Sequence, residues 1–346
     1  MQTNSISRRA ALMIGTAAVS SFISVRHVAH AEIGERPGAW RAGPTLPFAV
    51  QEIYPTLHAG RIHLAGGFIA ESGRISGATD RHLALDLNSE VWSDQTALPR
   101  GRHHPNLISF AGRLLAIGGF EAVSEQAVWV MQNGAWAFDG EVWSDAPALP
   151  QPNGESVTGV IDDILHVCGG RTPRGENNAT WNDHIDVSDH FYLADPMGRW
   201  ERAAPLPTAR NSAAAGMIGS DWHVVGGRTV AGGNTAVHDV YDAREDRWRS
   251  AAPMPQGQGG LAAAAANGKL YAFGGEFFDR GGGVYPQAWA YDPEADAWSA
   301  LPDMPQPRHG LGAVASGEDI YVIGGALEVG GRNTSNQVEI FTPASL

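Results

Sequence analysis

Ile320-Tyr321-Val322-Ile323-Gly324-Gly325 is a short apolar run closed by two glycines, one of six such pairs in the chain. The others are Gly66-Gly67, Gly118-Gly119, Gly169-Gly170, Gly226-Gly227 and Gly274-Gly275, after runs such as Ile62-His63-Leu64-Ala65 and Leu114-Leu115-Ala116-Ile117. Six tryptophans keep step: Trp40, Trp92, Trp143, Trp200, Trp248 and Trp298. Successive spacings are 52, 51, 57, 48 and 50 residues in both series. A strand-length run, a glycine turn and one large aromatic form a unit that cannot bury its own faces and must stack on its neighbours. The expected fold is all-β, a six-bladed propeller of four-stranded antiparallel blades.

In the last repeat, strands are expected over Leu311–Ala315, Ile320–Ile323 and Gln337–Phe341, with no tryptophan-bearing fourth strand before Leu346. Trp40-Arg41-Ala42-Gly43-Pro44-Thr45-Leu46-Pro47 reads as a fourth strand with no first three before it. The N-terminal strand around Trp40 is therefore expected to close the last blade, pairing two edges that would otherwise invite aggregation. Glycine pairs and tryptophans read as structural.

The balance of 24 Lys+Arg against 37 Asp+Glu, net -13, excludes a nucleic-acid partner, which needs basic patches. Lys269 is the one lysine, in a predicted turn, and Cys168 reads as a small buried hydrophobe before a glycine pair. Residues 1–31 read as a cleavable export signal. Ser7-Arg8-Arg9-Ala10-Ala11-Leu12 opens an apolar stretch to Val25, and Ala29-His30-Ala31 supplies a cleavage site. The twin arginine resembles a Tat signal, although Ala11 stands where a large apolar residue is usual; Sec export is the alternative. Residues 32–346 are then one propeller domain in the periplasm or outside the cell, with no membrane span after cleavage.

The Leu/Met-Pro pairs set a register at Pro47, Pro99, Pro150, Pro207, Pro255 and Pro305. Three residues on stand Val50, Arg102, Asn153, Arg210, Gln258 and Arg308. Pointing inward, Arg102, Arg210 and Arg308 would ring the channel mouth with Asn153 and Gln258 between them, a site for an oxyanion. Pointing outward, they would bridge blades. Five residues beyond the prolines come Glu52, His104, Glu155, Ser212, Gly260 and Gly310. Strand alternation puts i and i+2 on one face, so Glu52, His104 and Glu155 are candidate acid–base groups, or partners of the arginines.

The loops between second and third strands emerge on the same face. Arg171 and Arg228 directly follow their glycine pairs, as does Glu276, while Phe68, Phe120, Phe277, Phe278 and Tyr285 offer flat surfaces for sugar rings. The blade 3 loop, from Arg171 to about Asp189, is long, carries Trp181 and is expected to fold over the pocket. His184, Asp186 and His190 match no metal-ligand spacing, and no metal or other cofactor is expected.

Over residues 38–346 the repeats resemble the kelch family, through the glycine pairs, the Leu/Met-Pro-x-x-Arg segments and the tryptophans. The organisation is similar to exported six-bladed kelch proteins of the N-acetylneuraminate mutarotase (epimerase) type. That resemblance implies cofactor-free interconversion of the anomers of an acidic sugar in the periplasm. The motifs carrying it are fold motifs shared by kelch proteins of many functions. Galactose-oxidase-type copper chemistry does not fit, because it needs a tyrosine–cysteine centre and Cys168 lies within a strand. Two readings stand. One is a propeller binding a small anionic sugar, a mutarotase if Glu52, His104 and Glu155 move its protons. The other is a non-catalytic module binding a periplasmic protein partner or glycan through its loop face.

Overall fold

The computed structural model describes residues 38–71 and 74–344; the export signal assigned to residues 1–31 lies outside them. Six four-stranded antiparallel sheets follow one another along the chain. Blade 1 runs Thr56–His58, Arg61–Ala65, His82–Asp86 and Val91–Gln95, innermost strand first. Blade 2 is Asn106–Phe110, Arg113–Ile117, Ala135–Phe138 and Trp143–Ala146. Blade 3 is Val157–Ile161, Ile164–Cys168, His190–Leu193 and Glu201–Arg202. Blade 4 is Ala214–Ile218, Asp221–Val225, His238–Asp242 and Arg247–Ser250. Blade 5 is Ala262–Ala266, Lys269–Phe273, Ala288–Asp292 and Ala297–Ala300. Blade 6 combines Gly312–Ser316, Asp319–Ile323 and Val338–Thr342 with the N-terminal strand Ala39–Ala42. In that last pairing Trp40 lies opposite Phe341. Of the three strands expected in blade 6, the first and third lie one residue later in the chain, and the second begins one residue earlier.

The glycine pairs explain how one blade meets the next. A Cβ on the first glycine would collide with a neighbouring blade's carbonyl, for example Gly118 at 2.5 Å from Asn153 O. The second glycine's N–H donates to that same carbonyl: Gly67 to Arg102, Gly119 to Asn153, Gly170 to Arg210, Gly227 to Gln258, Gly275 to Arg308 and Gly325 to Val50, at 2.8–2.9 Å. The last of these bonds joins blade 6 to blade 1. No side chain larger than hydrogen fits there.

The tryptophans make a second repeated bond. Each indole N–H donates to a carbonyl beyond the preceding blade's outer strand: Trp40 to Pro302, Trp92 to Pro44, Trp143 to Thr96, Trp200 to Pro147, Trp248 to Ala204 and Trp298 to Ala252. Between blades lie apolar layers, such as Leu165, Val167 and Phe191 of blade 3 against Leu115 and Ile117 of blade 2. Burial of such faces is the main favourable term in the fold. Cys168 is buried in the layer between blades 3 and 4, and burial pushes its thiol pKa up. Lys269 opens a strand and pairs with Asp292 at 2.9 Å.

Blades 1, 3 and 4 carry one further device. The third residue of the second strand and the first of the third strand are both histidine, side by side with their rings tilted. His63 Nδ1 meets His82 Nε2 at 2.9 Å, His166 meets His190 at 2.9 Å, and His223 meets His238 at 2.8 Å. The second ring of each pair donates from Nδ1 to the carbonyl of Thr96, Ala204 or Ala252, which a tryptophan also uses. Blades 2, 5 and 6 place Leu115/Ala135, Tyr271/Ala288 and Tyr321/Val338 in the same two positions.

Candidate functional site

The residues three beyond each proline do not surround the channel mouth. Arg102, Arg210 and Arg308 are fully buried, and each pairs with a carboxylate of its own blade. Arg102 reaches Glu121 at 2.9 Å, Arg210 reaches Asp239 at 2.8 Å and Arg308 reaches Glu339 at 3.1 Å. Arg102 also lies 4.0 Å over the Trp136 ring. Asn153 and Gln258 use their amides in the same way, donating to Gly169 O and Gly274 O at 3.0 and 2.6 Å. All five are latches inside blades, so they form no anion ring. Removing one charge of a buried pair strands the other. Arg210→Ala is expected to cost about 3–5 kcal/mol in urea unfolding and to leave ligand binding at the loop face unchanged.

The positions five beyond the prolines do converge, through a backbone device. Glu52, His104, Glu155, Ser212, Gly260 and Gly310 all have positive φ, between 50° and 68°. Their peptides join across blades: Glu52 N to Gly310 O, Gly310 N to Gly260 O, Gly260 N to Ser212 O, Ser212 N to Glu155 O, and His104 N to Glu52 O. These residues form a ring over the inner strands. Because the left-handed turn breaks strand alternation, this position no longer shares a face with the latch position.

Beneath the loops the ring side chains enter a buried ionic network. His104 Nε2 lies 2.7 Å from Glu52 Oε2 and 3.6 Å from Glu155 Oε1. Arg171 Nε stands 2.8 Å from Glu155 Oε2, off the N–H axis, so the contact is an ion pair rather than an aligned hydrogen bond. Arg228 joins Glu276 at 2.6 Å and approaches Glu155 at 3.8 Å. Burial alone would raise both the Glu52 and Glu155 carboxyl pKa values. It is outweighed at Glu52 by His104, His309 and Arg228, and at Glu155 by Arg171, His104 and Arg228, so both are held below the usual carboxylate range. Burial, then Glu155 and Glu52, push the Tyr54 phenol well up.

Two cavities flank this layer. Below it, Tyr54, Asn106, Ser156 and the starts of all six inner strands line a channel cavity of about 200 Å³. Above it, the loops of blades 4 and 5 enclose a cleft of about 620 Å³ lined by Arg228, Asn234, Phe277, Phe278, Arg280 and Tyr285. Phe278 is 63% exposed. The blade 3 loop forms a hairpin, Arg171–Pro173 with His184–Asp186, around a 3₁₀ turn at Trp181–Asp183. It leans on blade 2, where Trp129 N donates to Ala179 O and Met131 N to Asn178 Oδ1. Trp181 covers the Arg171 guanidinium at 4.5 Å. The loop thus roofs Arg171, not the cleft.

The Kelch motif family matches residues 259–305, which span blade 5. The repeats are of the kelch type. Kelch-like protein terF of Aspergillus terreus is 27% identical over 201 residues, covering 56% of this chain and 43% of that protein. Kelch-like protein 40 of Xenopus laevis is 35% identical over 89 residues, 25% of this chain and 14% of that one. Kelch repeat protein M-T8 of Myxoma virus is 28% identical over 161 residues, 45% and 30% of the two chains. The chain spans less than half the length of each of these relatives. The solved structure of YjhT superimposes with TM-score 0.72 at 17% identity, covering 85% of this chain and 95% of that one.

Within the kelch frame, one register position explains much of the network. The residue after each glycine pair is Phe68, Phe120, Arg171, Arg228, Glu276 or Ala326. Backbone bridges set it beside the residue four beyond the proline: Phe120 beside His103, Arg171 beside Gly154, Arg228 beside Asn211, Glu276 beside Gly259 and Ala326 beside His309. Sequence reading reached Arg171 and Arg228 this way, and passed over His103, His309 and Tyr54. His184, Asp186 and His190 go to separate partners: Arg171 and Asn178, Asn211 and Val230, and His166.

Proposed function

We propose that the protein is an exported, periplasmic kelch propeller that binds a sugar in the cleft between the blade 4 and blade 5 loops. The observation carrying this reading is the cleft itself, which sets Phe277, Phe278 and Tyr285 beside Arg228, Asn234 and Arg280. Aromatic faces suit the C–H face of a sugar ring, and a few polar groups at a concave site fix its orientation. Arg228 is already held by Glu276, and Arg280 by the exposed Asp279 at 3.0 Å. A ligand carboxylate would have to share a guanidinium with them. The aromatic rings therefore carry most of the binding, and acidic and neutral sugars both belong to the candidate class.

Calorimetric titration of the mature protein with N-acetylneuraminate, galacturonate and galactose tests this. Phe278→Ala is expected to weaken the best ligand about tenfold, roughly 1.4 kcal/mol, without changing thermal stability. Binding of none of the three would move the reading to a protein partner on the same face. A second reading, anomer interconversion of an acidic sugar, is favoured by the Glu155–Arg228 contact, which links the cleft to buried acid–base groups. Under that reading, proton NMR shows faster anomer equilibration than buffer, lost in Glu155→Gln.

A further inference from the structure

A chain of short contacts runs beneath the loops, from Val128 through His103 and His104 to Glu52. Its hydrogens can be placed by elimination. Val128 O is a carbonyl and only accepts, so His103 Nε2, 2.7 Å away, carries a hydrogen. His103 is fully buried between Phe68 and Phe120, and burial holds its pKa well below the ordinary range. Its Nδ1 is therefore a bare lone pair. His104 Nδ1 sits 2.7 Å from that lone pair and must be the donor. With Nδ1 protonated, a neutral His104 would face Glu52 with a second lone pair at 2.7 Å. One proton has to occupy that contact.

We infer that His104 is a resident imidazolium, the third cation of the network, paired with Glu52 and facing Glu155. An independent count agrees. Glu52, Glu155 and Glu276 bring three negative charges, whereas Arg171 and Arg228 bring two positive ones. A charged His104 brings the cluster to neutrality, which buried ions require. His309 is the other imidazole within reach. Its Nε2 donates to Glu328 O and Gly330 O at 2.9 Å, and its Nδ1 stands 3.7 Å from Glu52 and 3.5 Å from Glu276. Those longer contacts leave the proton with His104. The remaining faces of the His104 ring meet Tyr54, Phe68, Phe120 and Trp129, which bring no charge. His104 is thus a positioning residue: its charge holds Glu52 and Glu155 as carboxylates under the cleft. This inference does not depend on sugar binding.

Nitrogen NMR of histidine-labelled protein at about pH 8, where a free imidazole is neutral, reads the state directly. One ring with both nitrogens protonated is expected in the intact protein. It should vanish in His104→Gln, persist in His309→Gln and revert to a neutral ring in Glu52→Gln. A spectrum with only neutral rings in the unsubstituted protein overturns the inference without recourse to any variant. Loss of the charged ring in His309→Gln with retention in His104→Gln overturns it as well.

Discussion

Acidification from pH 7 towards pH 4 is expected to unfold this propeller in a steep step, with most stability lost between about pH 6 and pH 4. The cause is the three histidine pairs. Burial holds His63, His166 and His223 down to about 3, and His82, His190 and His238 to about 4. An unfolded histidine titrates near 6.5. Below that value the unfolded chain takes up protons that the folded chain refuses, so stability falls as pH falls and levels off only near the folded values. Each ring contributes up to about 1.4 kcal/mol per pH unit. Six together approach roughly 8 kcal/mol per pH unit, so one to two pH units would exhaust a typical reserve of about 5–15 kcal/mol. The figure is an upper bound, because a pair that opens and hydrates one ring loses less.

Urea unfolding followed by tryptophan fluorescence at pH 7.5, 6 and 5 measures the effect. A free energy that stays flat from pH 7 to pH 5 would sink the argument. Replacing one pair, as in His223→Leu with His238→Gln, should reduce proton uptake on unfolding by about two near pH 5. That change in slope separates the pairs from the carboxylates, which titrate lower.

The second large effect concerns the strand that completes blade 6. A chain beginning at residue 44 would leave Val338–Thr342 without its partner Ala39–Ala42. It would also lose the Trp40 bond to Pro302 and the ring contacts of Trp40 with Phe273 and Phe341, at 5.5 and 5.0 Å. An exposed edge with buried apolar neighbours is a template for pairing with other chains. The shortened protein is expected to elute as aggregates and to lose its cooperative thermal transition. Trp40→Ala in the otherwise intact chain should cost about 3 kcal/mol, the low end of the range for a large aromatic truncated in a core, because the ring is only partly buried. A shortened chain that stays monomeric and melts within a few degrees of the intact protein would contradict this role for Ala39–Ala42.

The repeat pattern alone gave the blade number, the first three strands of the last blade to within about one residue and the pairing of Trp40 with that blade. Glycine spacing and tryptophan spacing are direct consequences of how blades meet, so they are written locally. The site was less legible. Arg102, Arg210 and Arg308 stand at the right register, but nothing in an arginine says whether its carboxylate partner lies in a ligand or in its own blade. Alternation misplaced Glu52, His104 and Glu155 because each adopts a left-handed backbone. Gly260 and Gly310 in the same register position were the available signal for that turn. The histidine pairs were also visible, since His63, His166 and His223 recur two residues after the start of the second strand. Their partners, 15 to 24 residues away, come into contact only through strand pairing.

The ring of left-handed residues is unevenly occupied. Its six seats are nearly equivalent in backbone, yet their occupants run Glu, His, Glu, Ser, Gly, Gly. Holding a side chain in such a conformation costs about 1 kcal/mol or more, while glycine adopts it freely. The strain is therefore gathered on blades 1 to 4, and blades 5 and 6 stay bare. A Cβ at Gly310 would strike the carboxyl carbon of Glu52, its bonded neighbour in the ring, at 2.7 Å, so the empty sixth seat is what admits that charged group. A scaffold built by repetition thereby acquires a front and a back. An approaching molecule meets a single orientation, although the frame offers six.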